Sequence, residues 1–162
     1  MQNWTRTILL GVTMIAILTL PCTLLGQEAQ PAWAGTWKLN LAKSKYTPGP
    51  GPKSQTTKVE PWENGLMTTT DTVTAQGESR HVEVKGRFNS SDNPVTGNPN
   101  VDTQAFRRAG GRAYTIVSKK GGKVTTTTRV SISVDGKTRT SLVTGKNAQG
   151  QAIDETIVYD RQ

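Results

Sequence analysis

The sequence predicts an all-β protein, an antiparallel up-and-down β-barrel of about eight to ten strands that follows an N-terminal signal helix. Apolar and polar residues alternate along short runs, as in strands with one wet face, and the clearest run extends from Val124 to Val134. Dipeptides typical of hairpin turns, such as Asn64-Gly65 and Asp135-Gly136, separate these runs. After the N-terminal segment, no long stretch has the apolar period of a helix.

Residues 1–27 have the pattern of a secretory signal peptide. One positive side chain stands near the start, an apolar run follows from Ile8 to Leu25, and Pro21 lies near its end. An uncleaved membrane anchor is the alternative, because the run is close to the roughly 17–25 residues that span a bilayer. Pro21 also precedes Cys22, which argues against lipidation of that cysteine. We expect a removed signal peptide, one domain at 28–162, no membrane span after cleavage, and a secreted or periplasmic location.

The alternating runs place nine strands along the expected domain. Most neighbouring runs are joined by short turns, which implies a meander in which consecutive strands pair. Two connections are longer. One is residues 43–53, which are rich in Pro and Gly, and the other is the polar stretch 89–100. We predict strands near 35–41, 55–62, 66–75, 79–89, 102–108, 112–119, 123–134, 137–146 and 151–160.

A meander of this many strands must protect its two edge strands. Closing the sheet into a barrel removes both edges, so we expect a barrel, and a sandwich of two sheets is the alternative. Threonine is frequent on the faces predicted to point inward. This suits a barrel with a small or partly wet interior, but it also suits an ordinary Thr-rich sheet.

The composition excludes several kinds of metal site and enzyme. One cysteine cannot form an intrachain disulfide or a four-cysteine zinc site, and one histidine cannot form a multi-histidine site. Asp154 and Glu155 are adjacent, so on a strand they point to opposite faces and form no carboxylate pair. His81 lies on the outward register of its run, where we expect a solvated side chain. We predict no catalytic residue, no metal and no cofactor.

The run Ala34 to Leu39, AGTWKL, resembles the opening strand of the calycins, the lipocalins and fatty-acid-binding proteins, which carries a G-x-W motif. The closing run Ile157 to Arg161 is similar to the last strand of the fatty-acid-binding proteins. The longer stretch WAGTWKLNLAKSKYTPGPGPK resembles a group of small secreted bacterial proteins with lipocalin-like barrels. Fatty-acid-binding proteins insert two helices after the first strand, whereas residues 43–53 form a long non-helical connection, as in lipocalins.

This resemblance implies a non-catalytic protein that binds a small, largely apolar ligand inside the barrel. In lipocalins an arginine near the last strand often packs over the motif tryptophan, so Arg161 is the expected partner of Trp37 and Arg139 the second candidate. Gly35, Trp37 and Arg161 are the expected structural residues. The arginine of the carboxylate site of fatty-acid-binding proteins would fall at Ile157, so that anion site is not expected. The residues expected to contact the ligand are Trp37, Leu39, Phe88, Tyr114, Ile132 and Tyr159.

Two other functions stay open. A basic rim around two turns could bind an anionic polymer or lipid headgroups of the cell envelope, while export argues against a nucleic-acid partner. Binding at the rim should weaken as salt rises, whereas binding inside the barrel should survive. An enzyme would need polar groups that converge inside, such as Arg129 or Glu155 turned toward a cavity. The loop from Tyr46 to Pro52 is either a lid over the barrel mouth or a plain surface loop. The rim consists of Arg107, Arg108, Arg112, Lys119, Lys120 and Lys123.

Overall fold

The computed structural model describes residues 30–147 and 149–162, so the predicted signal peptide at 1–27 lies outside the described residues. Within them the chain forms ten antiparallel strands and one short 3-10 helix, Leu41–Lys43. The strands are β1 (Gly35–Leu39), β2 (Ser54–Trp62), β3 (Gly65–Val73), β4 (Ser79–Arg87), β5 (Asp92–Pro94), β6 (Thr103–Arg108), β7 (Ala113–Lys120), β8 (Lys123–Ile132), β9 (Thr138–Lys146) and β10 (Ala152–Arg161).

The strand order follows the chain around a single sheet. Its order is β4-β3-β2-β1-β10-β9-β8-β7-β6-β5, and the first and last strands of the chain pair along Trp37↔Arg161 and Leu39↔Tyr159. The two edges, β4 and β5, meet at a seam where Glu83 and Thr96 exchange backbone hydrogen bonds of 3.2 and 3.0 Å. The sheet is therefore a nearly closed up-and-down barrel, which confirms the predicted barrel and excludes the sandwich; the predicted signal helix lies outside the described residues.

The structure adds one strand to the nine that the sequence predicted. Asp92–Pro94 lies inside the predicted loop at 89–100 and pairs with β6, because Asn93 and Pro94 register with Gln104 and Thr103. The prediction was wrong here since a three-residue strand that contains Pro and Asn has no recognisable alternation. Position on the edge of the sheet makes the proline tolerable, because an edge strand needs fewer backbone donors.

The apolar core fills one end of the barrel. Bulky aromatic side chains close that end, and they pack edge to face. The ring centroid of Trp33 lies 5.7 Å from that of Phe88 and 6.3 Å from that of Tyr114. A turn closed by Ala34 N–H donating to Pro31 O at 2.9 Å carries Trp33 into this core. The largest fully buried side chains are Trp33, Trp37, Tyr114, Phe106, Leu66, Val59 and Val130. Burial of each such side chain contributes about 1.5–3 kcal/mol.

Among the described residues, no helix has the length and apolar character needed to cross a membrane. The same part of the chain holds no group of three His, Cys, Asp or Glu side chains placed to bind a metal ion.

Candidate functional site

The end of the barrel opposite the aromatic core encloses a cavity of about 340 Å³. Inward-facing residues from β2, β3, β4, β6, β7, β8, β9 and β10 line it, so it is the barrel interior and not a surface cleft. Its aliphatic lining is Val82, Val84, Ile116, Val143 and Ile157. The volume lies near the lower end of the range of about 300–1,000 Å³ found for ligand pockets, so a ligand held here is small.

Hydroxyl groups form much of the cavity wall. Thr68, Thr70 and Thr72 alternate along β3, and a period of two carries all three to the inner face. We call the following seven residues the hydroxyl wall: Thr57, Thr68, Thr70, Thr72, Thr74, Thr128 and Ser141. Some of its groups bond to each other or to neighbours, as Thr57 Oγ1 lies 3.2 Å from Thr70 Oγ1 and Gln55 Nε2 donates to Thr72 Oγ1 at 2.9 Å.

Arg139 is the one buried charged residue among the described residues, and it lines the cavity. It stands on β9 opposite Tyr159 of β10, and its guanidinium carbon lies 4.9 Å from the centre of the Tyr159 ring. Only 6% of its surface is exposed, yet within the described residues Nε and Nη1 have no hydrogen-bond partner and no carboxylate pairs with the side chain. Burying a guanidinium whose nitrogens lack hydrogen-bond acceptors is costly, so a hydrogen-bond acceptor placed here would offset that cost.

Ser141 repeats this pattern two residues further along β9. Its side chain is 3% exposed and lines the cavity, and in the described part of the chain its Oγ also has no hydrogen-bond partner. Residues two apart on a strand share a face, so Arg139 and Ser141 present neighbouring groups to the same space. Tyr159 completes the region, with its hydroxyl donating to Gln55 Oε1 at 2.5 Å. Burial raises the pKa of Tyr159, while the positive charge of Arg139 opposes that rise.

A second hollow of about 340 Å³ adjoins the cavity at the open end. The two share five lining residues, namely Gln55, Thr72, Thr74, Arg80 and Ile157. The proline-rich loop borders this hollow, together with Glu155. Backbone pairing holds the loop there, because Lys45 N–H donates to Thr156 O at 2.7 Å and Thr156 N–H donates to Lys45 O at 3.0 Å. Tyr46 is half-buried at this place, and burial raises the pKa of its phenol.

Glu155 faces the same hollow. The enzyme alternative required a polar residue such as Glu155 to be turned toward a cavity, and Glu155 has this orientation. Burial raises the pKa of its carboxyl group. Arg129, the other residue considered for that role, is exposed. Glu155 lines the adjoining hollow and Arg139 lines the cavity.

The cavity includes one of the six residues expected to contact a ligand, Tyr159. Trp37, Tyr114 and Ile132 belong to the buried core, and Leu39 and Phe88 are partly buried against it. The alternation in the sequence correctly placed these side chains on the inner face, but it carried no information on their height along the barrel axis. These five residues fill the closed end, and the cavity lies above them.

Arg161 packs over Trp37, with its guanidinium carbon 4.2 Å from the indole centre. Its three nitrogens donate to backbone oxygens of Ala34 at 2.6 Å, Ala32 at 2.5 Å and Gly136 at 2.6 Å. Gly35 passes directly beneath, where a Cβ atom would lie 2.4 Å from Arg161 Nη1. Arg161, and not Arg139, takes the position over the tryptophan, and Arg139 is left free to line the cavity.

The basic rim is largely engaged in contacts within the protein. Lys119 pairs with Asp92 at 2.8 Å and Lys120 with Asp102 at 2.6 Å. Arg112 donates to the carbonyl oxygens of Ser133 and Val134, and Arg108 lies over Phe88. His81 is exposed, as expected, and its ring nitrogens face Asp71 at 2.6 Å and Glu83 at 3.2 Å.

Comparison with known proteins gives a fold and no family. No protein-family model matches the chain, and no curated protein sequence matches it. Among solved structures, the zebrafish ileal bile acid-binding protein in complex with cholic acid is similar, with a TM-score of 0.50 and 13% identity. The match covers 81% of this chain and 99% of that protein. The fold is calycin-like. This confirms the architecture that the opening and closing strands implied.

Proposed function

We propose that this chain is a secreted or periplasmic, non-catalytic binding protein that holds a small organic anion inside its barrel. The observation that carries the proposal is Arg139, buried against Tyr159 with two nitrogens that have no partner in the described part of the chain. The location rests on the sequence pattern at 1–27.

A carboxylate is the ligand group that fits Arg139 best. A guanidinium presents parallel donors that match the two oxygens of a carboxylate, and a charge-assisted pair is stronger than a neutral hydrogen bond. The enclosed site also screens such a pair less than open solvent would. The sequence predicted a largely apolar ligand and gave no support to an anion site at Ile157; the structure instead presents an arginine from β9.

The calycin-like fold supports an enclosed organic acid as cargo, since the similar zebrafish protein was solved with cholic acid. The cavity here is small, about 340 Å³, and it is open toward the proline-rich loop through the adjoining hollow. A ligand would therefore enter at the open end of the barrel and meet Arg139 below Tyr46.

Isothermal titration calorimetry with two carboxylates of similar ring size tests the proposal. Glucuronate and cyclohexanecarboxylate both carry a carboxylate on a six-membered ring and differ in their hydroxyl groups. We expect at least one to bind the wild-type protein, and Arg139→Met to weaken that binding by about tenfold to a hundredfold, the loss of a hydrogen-bonded charge. Glucose, which lacks a carboxylate, should bind weakly at best.

Arg129→Met is the matched control, because Arg129 is exposed on the neighbouring strand β8. It removes the same charge from the protein and should leave the affinity unchanged. If neither carboxylate binds, the proposal is wrong. Equal loss of affinity in the two variants, together with a steep decline as salt rises, would place the anion on the basic surface and also overturn it.

A further inference from the structure

The chemistry of the cavity wall limits which organic anion fits. The lining of the cavity around Arg139 combines the hydroxyl wall, the amides of Gln55, Asn98 and Gln104, and Arg80 with the five aliphatic side chains named above. The bulky aromatic side chains are packed against each other at the closed end. An aliphatic ligand would displace water from these hydroxyl and amide groups and give them no hydrogen bonds in exchange. Each buried polar group left unpaired in this way costs about 1–3 kcal/mol.

The unpartnered groups have a spacing that suits a polar ring. Arg139 and Ser141 are two residues apart on one strand, a distance of about 6.7 Å along the backbone. Both are more than nine-tenths buried and lack partners among the described residues, so they point to a ligand and not to a protein contact. A carboxylate on Arg139 would leave ring hydroxyls on the same molecule within reach of Ser141.

Other strands of the barrel also bring hydroxyl groups that could bind a polar ring. Thr68 and Thr70 from β3 and Thr128 from β8 bring hydroxyl groups to the cavity from other sides. A threonine hydroxyl both donates and accepts, as a sugar hydroxyl does, so the two can pair in either direction. The threonine methyl groups, with Val84 and Ile116, would meet the apolar faces of a sugar ring.

We infer that the ligand is a polyhydroxylated acid of the sugar-acid class, a carboxylate with several hydroxyl groups on a small ring or chain. This inference rests on the proposed function, since it takes the anion contact with Arg139 as given. It goes further by assigning the hydroxyl wall a role in ligand choice.

The two carboxylates used above also test this inference, as they differ in hydroxyl groups while sharing the acid. We expect glucuronate to bind at least about tenfold more tightly than cyclohexanecarboxylate, which corresponds to roughly one or two additional hydrogen bonds. Ser141→Ala should weaken glucuronate binding about fivefold and leave cyclohexanecarboxylate unchanged. Thr128→Val, which replaces a hydroxyl by a methyl of similar size, should behave in the same way.

Thr127→Val is the matched control for Thr128→Val. Thr127 is the neighbouring residue on β8, it is exposed, and its side chain is on the outer face. Before calorimetry, circular dichroism and thermal melting should show that the wild-type protein and each variant are folded.

The outcomes separate this inference from the proposed function. Equal or tighter binding of cyclohexanecarboxylate, lost in Arg139→Met, would overturn the sugar-acid class and leave the anion site standing. Glucuronate binding that neither Ser141→Ala nor Thr128→Val weakens would also overturn it. Absence of binding by both carboxylates would overturn the proposed function, and this inference with it.

Discussion

Arg161 shows how one side chain can hold three segments of the chain together. Its donors reach the backbone at Ala32, Ala34 and Gly136, and its guanidinium covers Trp37. The charge is satisfied by carbonyl oxygens and an aromatic face, and it needs no carboxylate. This contrasts with Arg139, the same residue type in the same barrel, whose nitrogens are left available.

Replacing Arg161 by Ala should destabilise the protein by about 3 kcal/mol, because it removes charge-assisted hydrogen bonds and a cation–π contact. Urea denaturation measures the change in the free energy of unfolding. Arg129→Ala, at an exposed position, should change it by less than about 0.5 kcal/mol. Equal effects of the two changes would show that the contacts of Arg161 contribute little.

His81 offers a direct test of the outer surface, because it is the single histidine of the chain. The hydrogen bond that the His81 ring donates to Asp71 raises the pKa of His81 above the ordinary 6.5, and the bond that it donates to Glu83 adds to the rise. The resulting stabilisation is present below the unfolded pKa and is lost as pH rises through the folded one. An NMR titration should give a pKa above 6.5, and Asp71→Asn should lower it; a wild-type pKa at or below 6.5 contradicts the pairing.

Glu155 makes the stability depend on pH in the same direction as His81, but through burial of the carboxyl group and not through pairing. Burial raises the pKa of this carboxyl group, so stability is lost as pH rises through the folded pKa and the group ionises. Glu155→Gln should therefore raise the melting temperature at neutral pH and have less effect in acid. Asp154→Asn, at the exposed neighbour on β10, is the control. A gain that does not depend on pH would argue against the desolvated carboxylate.

At the scale of the strands, the close approach of β8 to β9 requires a glycine at position 145. Gly145 on β9 lies between Thr126 of β8 and Ile153 of β10 and has φ of 153°. A Cβ atom there would come within 2.1 Å of Thr125 O. Both the dihedral angle and the space require glycine, since an L side chain rarely adopts this conformation.

The change Gly145→Ala should therefore cost about 2 kcal/mol or more, with the strain spread over β8 and β9. Gly111→Ala is the control, because a Cβ at Gly111 meets no atom within 4 Å. Thermal unfolding of the two variants, with hydrogen exchange of β8 and β9 amides, distinguishes local strain from a general loss of stability. Similar melting temperatures for both would contradict the argument.

The two ends of the barrel perform different tasks at the level of the whole molecule. The closed end buries the aromatic core that stabilises the fold, and the open end retains polar groups that stability alone would not favour. A buried charge without a partner lowers the stability of the empty protein, and a bound anion would compensate for it. Under the proposed function, ligand binding and the stability of the empty protein therefore compete at Arg139.

For this reason Arg139→Met should stabilise the ligand-free protein by about 1–3 kcal/mol while weakening anion binding about tenfold to a hundredfold, because methionine fills the space without a charge. Urea denaturation measures the first effect and calorimetry the second. Arg129→Met should change neither appreciably. A clear loss of stability in Arg139→Met would mean that the guanidinium is satisfied in the folded protein and would contradict its availability to a ligand.

Alternation and turn residues were enough to predict the meander and nine of the ten strands. The partnership of Trp37 with Arg161 was implied by the resemblance to the lipocalins and not by these patterns. β5 was not predicted, because three residues are too few to show a period. The position of the cavity was not predicted either, because the height of a side chain along the barrel axis depends on strand tilt and register, which local sequence does not encode.

The sequence by itself determined which side chains face inward, since a period of two is a local property of the backbone. Only the tertiary structure decided which inward residues pack and which line a space. Arg139 and Arg161 are both arginines near the end of the chain, yet one is satisfied by carbonyl oxygens and the other faces the cavity. Hydrogen-bond satisfaction depends on atoms from distant strands, and those meet only when the barrel closes.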